Sequence, residues 1–230
     1  MTPTVGLADV DVLILAGGLG TRLRPVWDGA KCLAPVAGVP FLEHLLRQVT
    51  NHGAKRVVLA LRHKAWDVVD YTRARQRDGL EVDFSIEAGD ERHGEIYGML
   101  HVWAALKQRV TLILNGDTYV NVDLGRLVGQ HLATRRKRAL TLFYETGSWS
   151  QCPVMGRHVG LACIQTIAVP YVVDRAALDA TGLSDIEHNP APVVINPAAG
   201  TWWVDIGTPE GLARAERLLA TPTVATRRVK

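Results

Sequence analysis

The sequence predicts an α/β protein with a mixed, mostly parallel central sheet that is flanked by helices. Short apolar runs recur along the first half of the chain, and segments with the spacing of amphipathic helices lie between them. Because consecutive parallel strands need a crossover, which is usually a helix, this alternation favours a parallel sheet covered on both faces. Ligands of such sheets bind at the carboxyl ends of the strands. The residues that follow Ala16 and Leu114 are therefore candidates for the functional site.

The first half of the chain supplies four predicted strands and three predicted helices. The first strand starts at Asp11, in an apolar run that ends at two glycines. The other strands are apolar runs of the same kind, at Arg56–Leu61, Val82–Ile86 and Thr111–Leu114. The predicted helices cover Phe41–His52, Ala65–Arg77 and about Ile96–Lys107. One face of the first helix is apolar and consists of Phe41, Leu42, Leu45, Leu46 and Val49.

The second half of the chain is less regular. It contains a predicted helix near Leu124–Arg138, strands near Leu140–Glu145 and Tyr171–Val173, a proline-rich loop over Asn189–Pro197 and a closing helix at Pro209–Leu219. Asp123 and Thr208 are predicted N-caps, because each stands directly before a helical pattern. We expect a single domain over residues 1–220, with residues 221–230 as a frayed tail.

Composition excludes several classes of protein. The chain has 230 residues, of which 47% are hydrophobic and 21% are charged, values typical of a soluble globular protein rather than a disordered or fibrous one. The net charge of +3 favours small anionic ligands but is too small to indicate a nucleic-acid binder. Three cysteines without a CxxC pair argue against a disulfide framework or a zinc knuckle. We therefore expect a cytoplasmic protein, with neither a nucleic acid nor a membrane as a partner.

A glycine-rich segment follows the first predicted strand and reads Leu15-Ala-Gly-Gly-Leu-Gly-Thr-Arg-Leu-Arg24. Its glycines let backbone N–H groups approach an anion closely, which is typical of a phosphate-binding loop. It is not a Walker A loop, since the required Gly-Lys-Ser/Thr is missing. Arg22, Arg24 and Lys31 place several cations near it, as an anionic ligand would require. On these residues alone, a plain turn with surface arginines is an equally good interpretation.

The glycine segment and the residues after it resemble the signature of sugar-1-phosphate nucleotidyltransferases. That signature reads LAGGxGTRLxP and then PKPMxPVxGxPxL, and this chain continues with Lys31-Cys-Leu-Ala-Pro-Val-Ala-Gly-Val-Pro-Phe-Leu. Asn115-Gly-Asp-Thr118 and Val204-Asp-Ile-Gly-Thr-Pro-Glu210 further resemble two motifs of the D-glycero-D-manno-heptose 1-phosphate guanylyltransferase branch. The four motifs stand in the same order and span nearly the whole chain. The resemblance implies a Rossmann-like nucleotide-diphospho-sugar transferase fold.

The resemblance also implies a reaction and a set of site residues. A sugar 1-phosphate, heptose-like or an unusual cyclitol-like one, would attack the α-phosphorus of a nucleoside triphosphate, GTP in the heptose branch, and release pyrophosphate. Arg22 and Lys31 would be catalytic, and Asp117 and Asp205 would bind Mg²⁺. The nucleotide would contact Leu15, Ala16, Gly17, Gly18, Gly20, Thr21, Glu87 and Gly94. The substrate would contact Asn115, Tyr171 and Glu187.

The chain departs from the family pattern at several positions. The lysine that the family flanks with two prolines stands here as Ala30-Lys-Cys32. The family's base-reading stretch appears as Arg92-His-Gly-Glu-Ile-Tyr-Gly98, in which Glu95 is either functional or turned outward. A sugar-binding Glu-Lys-Pro segment is missing, and Val169-Pro-Tyr171 replaces a Gly-x-Tyr strand. We therefore expect an altered sugar pocket.

Alternative functions stay open at this point. One is a non-catalytic subunit that binds a nucleotide or a sugar phosphate, and another is a cytidylyltransferase of a phosphorylated alcohol. The expected partners are a nucleoside triphosphate and a sugar 1-phosphate, and a homo-oligomer is not excluded. Trp202 and Trp203 stand beside Asp205, where core packing is favoured over sugar stacking.

Overall fold

The structure is a computed structural model that describes residues 4–75, 77–87, 102, 105–133, 141–143, 170–174, 193–195 and 202–220. Two predictions lie wholly or largely outside these residues: the helix near Ile96–Lys107 and the tail over 221–230. Of the loop predicted over Asn189–Pro197, the described residues Val193–Ile195 form a strand of the main sheet, so the prediction of a loop was wrong there. Among the described residues, no helix combines the length and the apolar character that crossing a membrane requires.

A seven-stranded sheet forms the centre of the protein. Its strands are β1 (Asp11–Leu15), β4 (Arg56–Leu61), β5 (Glu81–Ile86), β6 (Val110–Asn115), β8 (Thr141–Phe143), β9 (Pro170–Asp174) and β10 (Val193–Ile195). Their spatial order is β10-β8-β9-β6-β1-β4-β5. Only β9 runs against its neighbours, so the predicted mixed, mostly parallel sheet is confirmed. In β1, β4 and β6 nearly every residue is buried, as expected for strands covered on both faces.

Four helices are described: α1 (Phe41–Asn51), α2 (Ala65–Arg73), α3 (Leu124–Ala133) and α4 (Pro209–Ala220). The apolar face predicted for α1 is buried in the core, where Phe41 and Leu42 are wholly inaccessible. The predicted end of α2 at Arg77 was wrong, because the helix ends at Arg73 and the chain turns back over Arg77–Leu80. That turn includes Gly79, whose φ is +75°.

The predicted N-caps of α3 and α4 are confirmed by hydrogen bonds. Asp123 Oδ1 accepts the N–H of Arg126 at 2.9 Å, and Thr208 Oγ1 accepts the N–H of Gly211 at 3.1 Å. The cap on α4 fixes the start of this helix directly after the motif that contains Asp205.

Two short ribbons lie outside the main sheet. β2 (Pro35–Val36) pairs with β3 (Val39–Pro40) just before α1. β7 (Thr118–Val120) pairs antiparallel with β11 (Trp203–Asp205), so Thr118 lies opposite Asp205. The β7–β11 ribbon joins two segments that are far apart in sequence at the point where β6 ends. This ribbon determines the geometry of the site.

A buried charge network lies at the amino-terminal ends of the parallel strands. Arg56 Nη1 donates to Asp11 Oδ1 at 2.7 Å, and Arg56 Nε donates to Asp83 Oδ2 at 3.0 Å. Asp11 is wholly buried, and its second oxygen accepts the N–H groups of Lys107 and Gln108. We call Asp11, Arg56 and Asp83 the amino-edge cluster.

Candidate active site

The glycine segment follows β1 at the carboxyl edge of the sheet, as predicted. Ala16 N donates to the carbonyl of Ala60, which ties the start of the segment to β4. No acceptor among the described residues takes the N–H groups of Gly17, Gly18 or Gly20. These donors are therefore available to an anion.

Lys31 packs along the glycine segment and reaches an aspartate beyond it. A Cβ added at Gly20 would lie 3.5 Å from Cβ of Lys31, and one added at Gly18 would lie 4.0 Å from its Cε, so the lysine stem runs alongside the segment. Its Nζ donates to Asp117 Oδ2 at 2.6 Å, and the Lys31 side chain is only 14% exposed. A 3₁₀ helix over Lys31–Leu33 carries the lysine, anchored by the buried Cys32.

Asp117 and Asp205 lie close together although they are far apart in the sequence. Thr118, the residue after Asp117, is 87 positions from Asp205. The Thr118 hydroxyl lies 3.1 Å from Asp117 Oδ1 and 3.4 Å from Asp205 Oδ2. Ile206 N also donates to the carbonyl of Asp117 at 2.9 Å. The two carboxylates, which the sequence placed in separate motifs, therefore flank one hydroxyl.

Arg22 reaches the same place from the glycine segment. The position that a Cβ would take on Gly207 lies 2.6 Å from Asp205 Oδ1, 3.1 Å from Arg22 Nη2 and 3.5 Å from Lys31 Nζ. The structure thus brings together two cations and two carboxylates from four separate segments. We call Arg22, Lys31, Asp117 and Asp205 the carboxyl-edge cluster.

The environment of Asp205 disfavours the ionised form of its carboxyl group. Burial, and then the charge of Asp117, raise the pKa of Asp205 above its ordinary value, while the Gly207 N–H, Lys31 and Arg22 oppose this. Two neighbouring carboxylates are oxygen donors of the type that Mg²⁺ prefers. No cluster of three or more His, Cys, Asp or Glu side chains suited to a metal occurs in the described part of the chain. Since Mg²⁺ is commonly held by one or two carboxylates plus substrate phosphates, the residues present fit this ion.

Two predicted binding residues carry buried oxygens without a partner. Glu87 follows β5, and its N–H donates to the carbonyl of Leu61 at 2.8 Å. Its Oε1 is buried and has no hydrogen-bond partner among the described residues, and the same holds for Oδ1 of Asn115 at the end of β6. An unpartnered buried oxygen is costly, so each is a position where a ligand donor would be favourable.

The remaining predicted contacts are placed as follows. Leu15 is the last residue of β1, and Thr21 is exposed in the turn after the glycines. Tyr171 lies in β9 opposite Ile113, inside the sheet rather than beyond its edge. Gly94 and Glu187 lie outside the described residues. Trp202 packs against the core and stacks on Tyr119, with ring centroids 5.5 Å apart, while Trp203 packs against Val120.

Sequence reasoning missed three residues that shape the site. Thr118 lies between the carboxylates, and Gly207 donates its N–H to Asp205 Oδ1 at 2.5 Å. Gly116 lies against the glycine segment, because a Cβ there would be 2.8 Å from Cβ of Ala16 and 2.9 Å from the carbonyl oxygen of Leu15. All three stand inside the Asn-Gly-Asp-Thr and Asp-Ile-Gly motifs, so their proximity to the aspartates was the available signal.

Comparison with protein families gives one match that covers most of the chain. Residues 12–201 match the profile of the MobA-like NTP transferase domain. A mannose-1-phosphate guanylyltransferase of Mycobacterium tuberculosis is 27% identical over 89% of this chain. A D-glycero-alpha-D-manno-heptose 1-phosphate guanylyltransferase of Campylobacter jejuni is 32% identical over 51% of it. The chain spans 63% and 52% of the lengths of these two relatives.

Solved structures share the fold. HddC from Yersinia pseudotuberculosis, crystallised with GMP-PN, superposes with a TM-score of 0.66 at 22% identity, over 91% of this chain and 99% of that one. The inositol-1-phosphate CTP transferase from T. maritima superposes with a TM-score of 0.67 at 13% identity, over 96% and 97% of the two chains. The predicted nucleotide-diphospho-sugar transferase fold is confirmed.

Proposed function

Because the chain belongs to the MobA-like NTP transferase domain family, we propose that it transfers a nucleoside monophosphate from a nucleoside triphosphate to a sugar 1-phosphate. An oxygen of the sugar phosphate forms a bond to the α-phosphorus, the bond from that phosphorus to the β-phosphate oxygen breaks, and pyrophosphate leaves. The observation that carries the proposal is the carboxyl-edge cluster, which lies against a glycine segment with available N–H donors.

The chain's own residues supply positioning and charge neutralisation, which dominate phosphoryl-type transfer. The N–H groups of Gly17, Gly18 and Gly20 hold phosphate oxygens, and the segment flanks the nucleotide. Arg22, which is exposed at its end of the cluster, binds the triphosphate and the departing pyrophosphate. Lys31 Nζ moves from Asp117 to the α-phosphate or the sugar phosphate, a short displacement because its stem already runs alongside the glycines.

Asp117 and Asp205 would hold Mg²⁺, which when bound neutralises phosphate charge. Without that ion, Lys31 and Arg22 are the positive charges that face the two carboxylates. Thr118 and the N–H of Gly207 keep the carboxylates oriented towards the same point. Asp117, Thr118 and Asp205 would therefore act together as one metal-binding unit.

GTP is the donor that Glu87 supports best. β5 lies two strands away from β1, roughly 10 Å at the usual strand spacing, so a nucleotide with its phosphates at the glycines can place its base near Glu87. An ionised carboxylate only accepts hydrogen bonds, and guanine presents two N–H donors side by side on one edge. The unpartnered Oε1 of Glu87 is suited to that edge.

A pyrophosphate-release assay tests the proposal. Each of GTP, ATP, CTP and UTP is combined with a panel of mannose-, glucose-, heptose- and inositol-type 1-phosphates, with Mg²⁺ and with excess chelator. We expect release with GTP and one class of sugar phosphate, only in the presence of Mg²⁺. Glu87→Gln should lower kcat/KM for GTP by about tenfold, because one of two acceptors becomes a donor.

The alternatives correspond to other outcomes of the same assay. Nucleotide binding without pyrophosphate release from any pair would favour a non-catalytic binding subunit. Release with CTP and a phosphorylated alcohol would replace the sugar 1-phosphate assignment. Release that is equal with chelator would overturn the assignment of Asp117 and Asp205 to a metal.

A further inference from the structure

Lys31 has no proline on either side, so another feature must fix the backbone that carries it. Ala30 and Cys32 flank it, and neither constrains φ as a proline ring does. The lysine side chain nevertheless lies alongside the glycine segment and donates to Asp117. The residues that precede it show how this is achieved.

The indole ring of Trp27 packs against the backbone of the residues just before Lys31. Its indole Nε1–H donates to the carbonyl of Ala30 at 2.9 Å. The same carbonyl accepts the N–H of Leu33 at 2.9 Å, the bond that closes the first turn of the 3₁₀ helix carrying Lys31. The indole therefore holds the peptide group at which that helix starts.

The indole is itself held from both sides. A Cβ on Gly29 would lie 2.4 to 2.8 Å from three indole atoms, so the ring rests directly on a residue that has no side chain. Trp27 N donates to the carbonyl of the wholly buried Leu23, and the ring packs against the core. Lys64 Nζ donates to the carbonyl of Asp28, which fixes the middle of the loop.

We propose that Trp27 is a positioning residue for Lys31: the indole bond to Ala30 and the contact with Gly29 take the place of prolines beside the lysine. The proposal rests on the function assigned above to Lys31. Trp27 itself touches no reacting group. Loss of its bond frees the 3₁₀ turn and lets Lys31 Nζ move out of the carboxyl-edge cluster.

Trp27→Phe tests this, since it keeps an aromatic ring but removes the indole N–H. We expect kcat for pyrophosphate release to fall about tenfold or more with little change in KM for the nucleotide, as displacement of a catalytic group on the scale of 1 Å can cost up to about a hundredfold. Trp66→Phe is the matched control, because Trp66 is 64% exposed on α2. It should leave kcat unchanged.

Two further variants separate positioning from packing. Ala30 has φ of −56°, which suits proline, so Ala30→Pro in the Trp27→Phe background should restore most of the lost kcat. Gly29→Ala alone should displace the indole and lower kcat as Trp27→Phe does. Combined with Trp27→Phe it should add less than it does alone, because the indole bond to Ala30 that it disturbs is already lost.

Lysine labelling gives a readout that is independent of activity. Lys31 should react with an acylating reagent faster in Trp27→Phe than in the wild type, with the exposed Lys107 as the internal reference. Wild-type labelling and wild-type kcat in Trp27→Phe would overturn the role of Trp27. If the wild type releases no pyrophosphate, the proposed function fails, and the labelling rate of Lys31 still decides whether Trp27 holds it.

Discussion

The amino-edge cluster and the carboxyl-edge cluster contain the same types of group but differ in how completely they are paired. In the amino-edge cluster, both oxygens of Asp11 accept hydrogen bonds, and Arg56 also donates to Asp83 and to the carbonyl of Ala105. Burial alone lowers the pKa of Arg56, but its bonds to Asp83 and Asp11 raise it above its ordinary value. The cation of this cluster is therefore stabilised by both of its carboxylates.

The carboxyl-edge cluster is left incomplete. The pKa of Asp205 is raised by burial and by Asp117, which means that its ionised form is disfavoured in the protein alone. Glycine N–H groups and buried oxygens of Glu87 and Asn115 lie at the same edge of the sheet without partners among the described residues. This difference indicates that the amino-terminal edge of the sheet contributes stability, whereas the carboxyl edge is suited to binding a charged ligand.

The largest stability effect should come from breaking the amino-edge cluster. Arg56→Met leaves the wholly buried Asp11 without its cation, so we expect a loss of about 3–5 kcal/mol in the free energy of unfolding. Urea titration measures this. Arg47→Met is the control, because Arg47 pairs with Glu43 at the surface and should cost about 1 kcal/mol or less. Equal losses in the two variants would contradict the division between the clusters.

The second-largest loss of stability should come from a substitution at Gly116, which lies close to the glycine segment. Gly116→Ala forces the backbone at Leu15 and Ala16 to move, so we expect a loss of about 1–3 kcal/mol and a lower rate of pyrophosphate release. Gly6→Ala is the matched control, since the nearest atom to its added Cβ is an ordinary 3.9 Å away. An active, fully stable Gly116→Ala protein would show that the two segments need not touch.

A third group of charges, Glu43 with Arg47 and Arg77, should give the smallest and most pH-dependent effect on stability. Burial raises the pKa of Glu43, but Arg77 and then Arg47 lower it more, so that this pKa lies below its ordinary value of 4.5. A lowered folded-state pKa contributes stability above the unfolded-state pKa, and this is lost as the pH falls through the folded-state pKa. Glu43→Gln should therefore cost about 1 kcal/mol at neutral pH and less below pH 4 or so. A difference that grows on acidification would contradict this sign.

Local patterns predicted the fold, while the site depended on contacts that no local pattern contains. β4 was predicted at its observed bounds because it is a continuous apolar run. The motifs identified Asp117 and Asp205, but their meeting depends on a ribbon of two three-residue strands, too short to give a periodic signal. The pairing of Asp11 with Arg56 and the bond from Trp27 to Ala30 were likewise invisible, because burial and side-chain direction decide them.

The most direct test compares one substitution at the two ends of the sheet. Asp117→Asn and Asp83→Asn are assayed for pyrophosphate release and for the free energy of unfolding in the same preparations. We expect Asp117→Asn to lose at least about a hundredfold in kcat, while its stability changes by about 1 kcal/mol or less. Asp83→Asn should keep its kcat and lose about 1–3 kcal/mol of stability. Full turnover by Asp117→Asn would contradict the assignment of catalysis to the carboxyl-edge cluster.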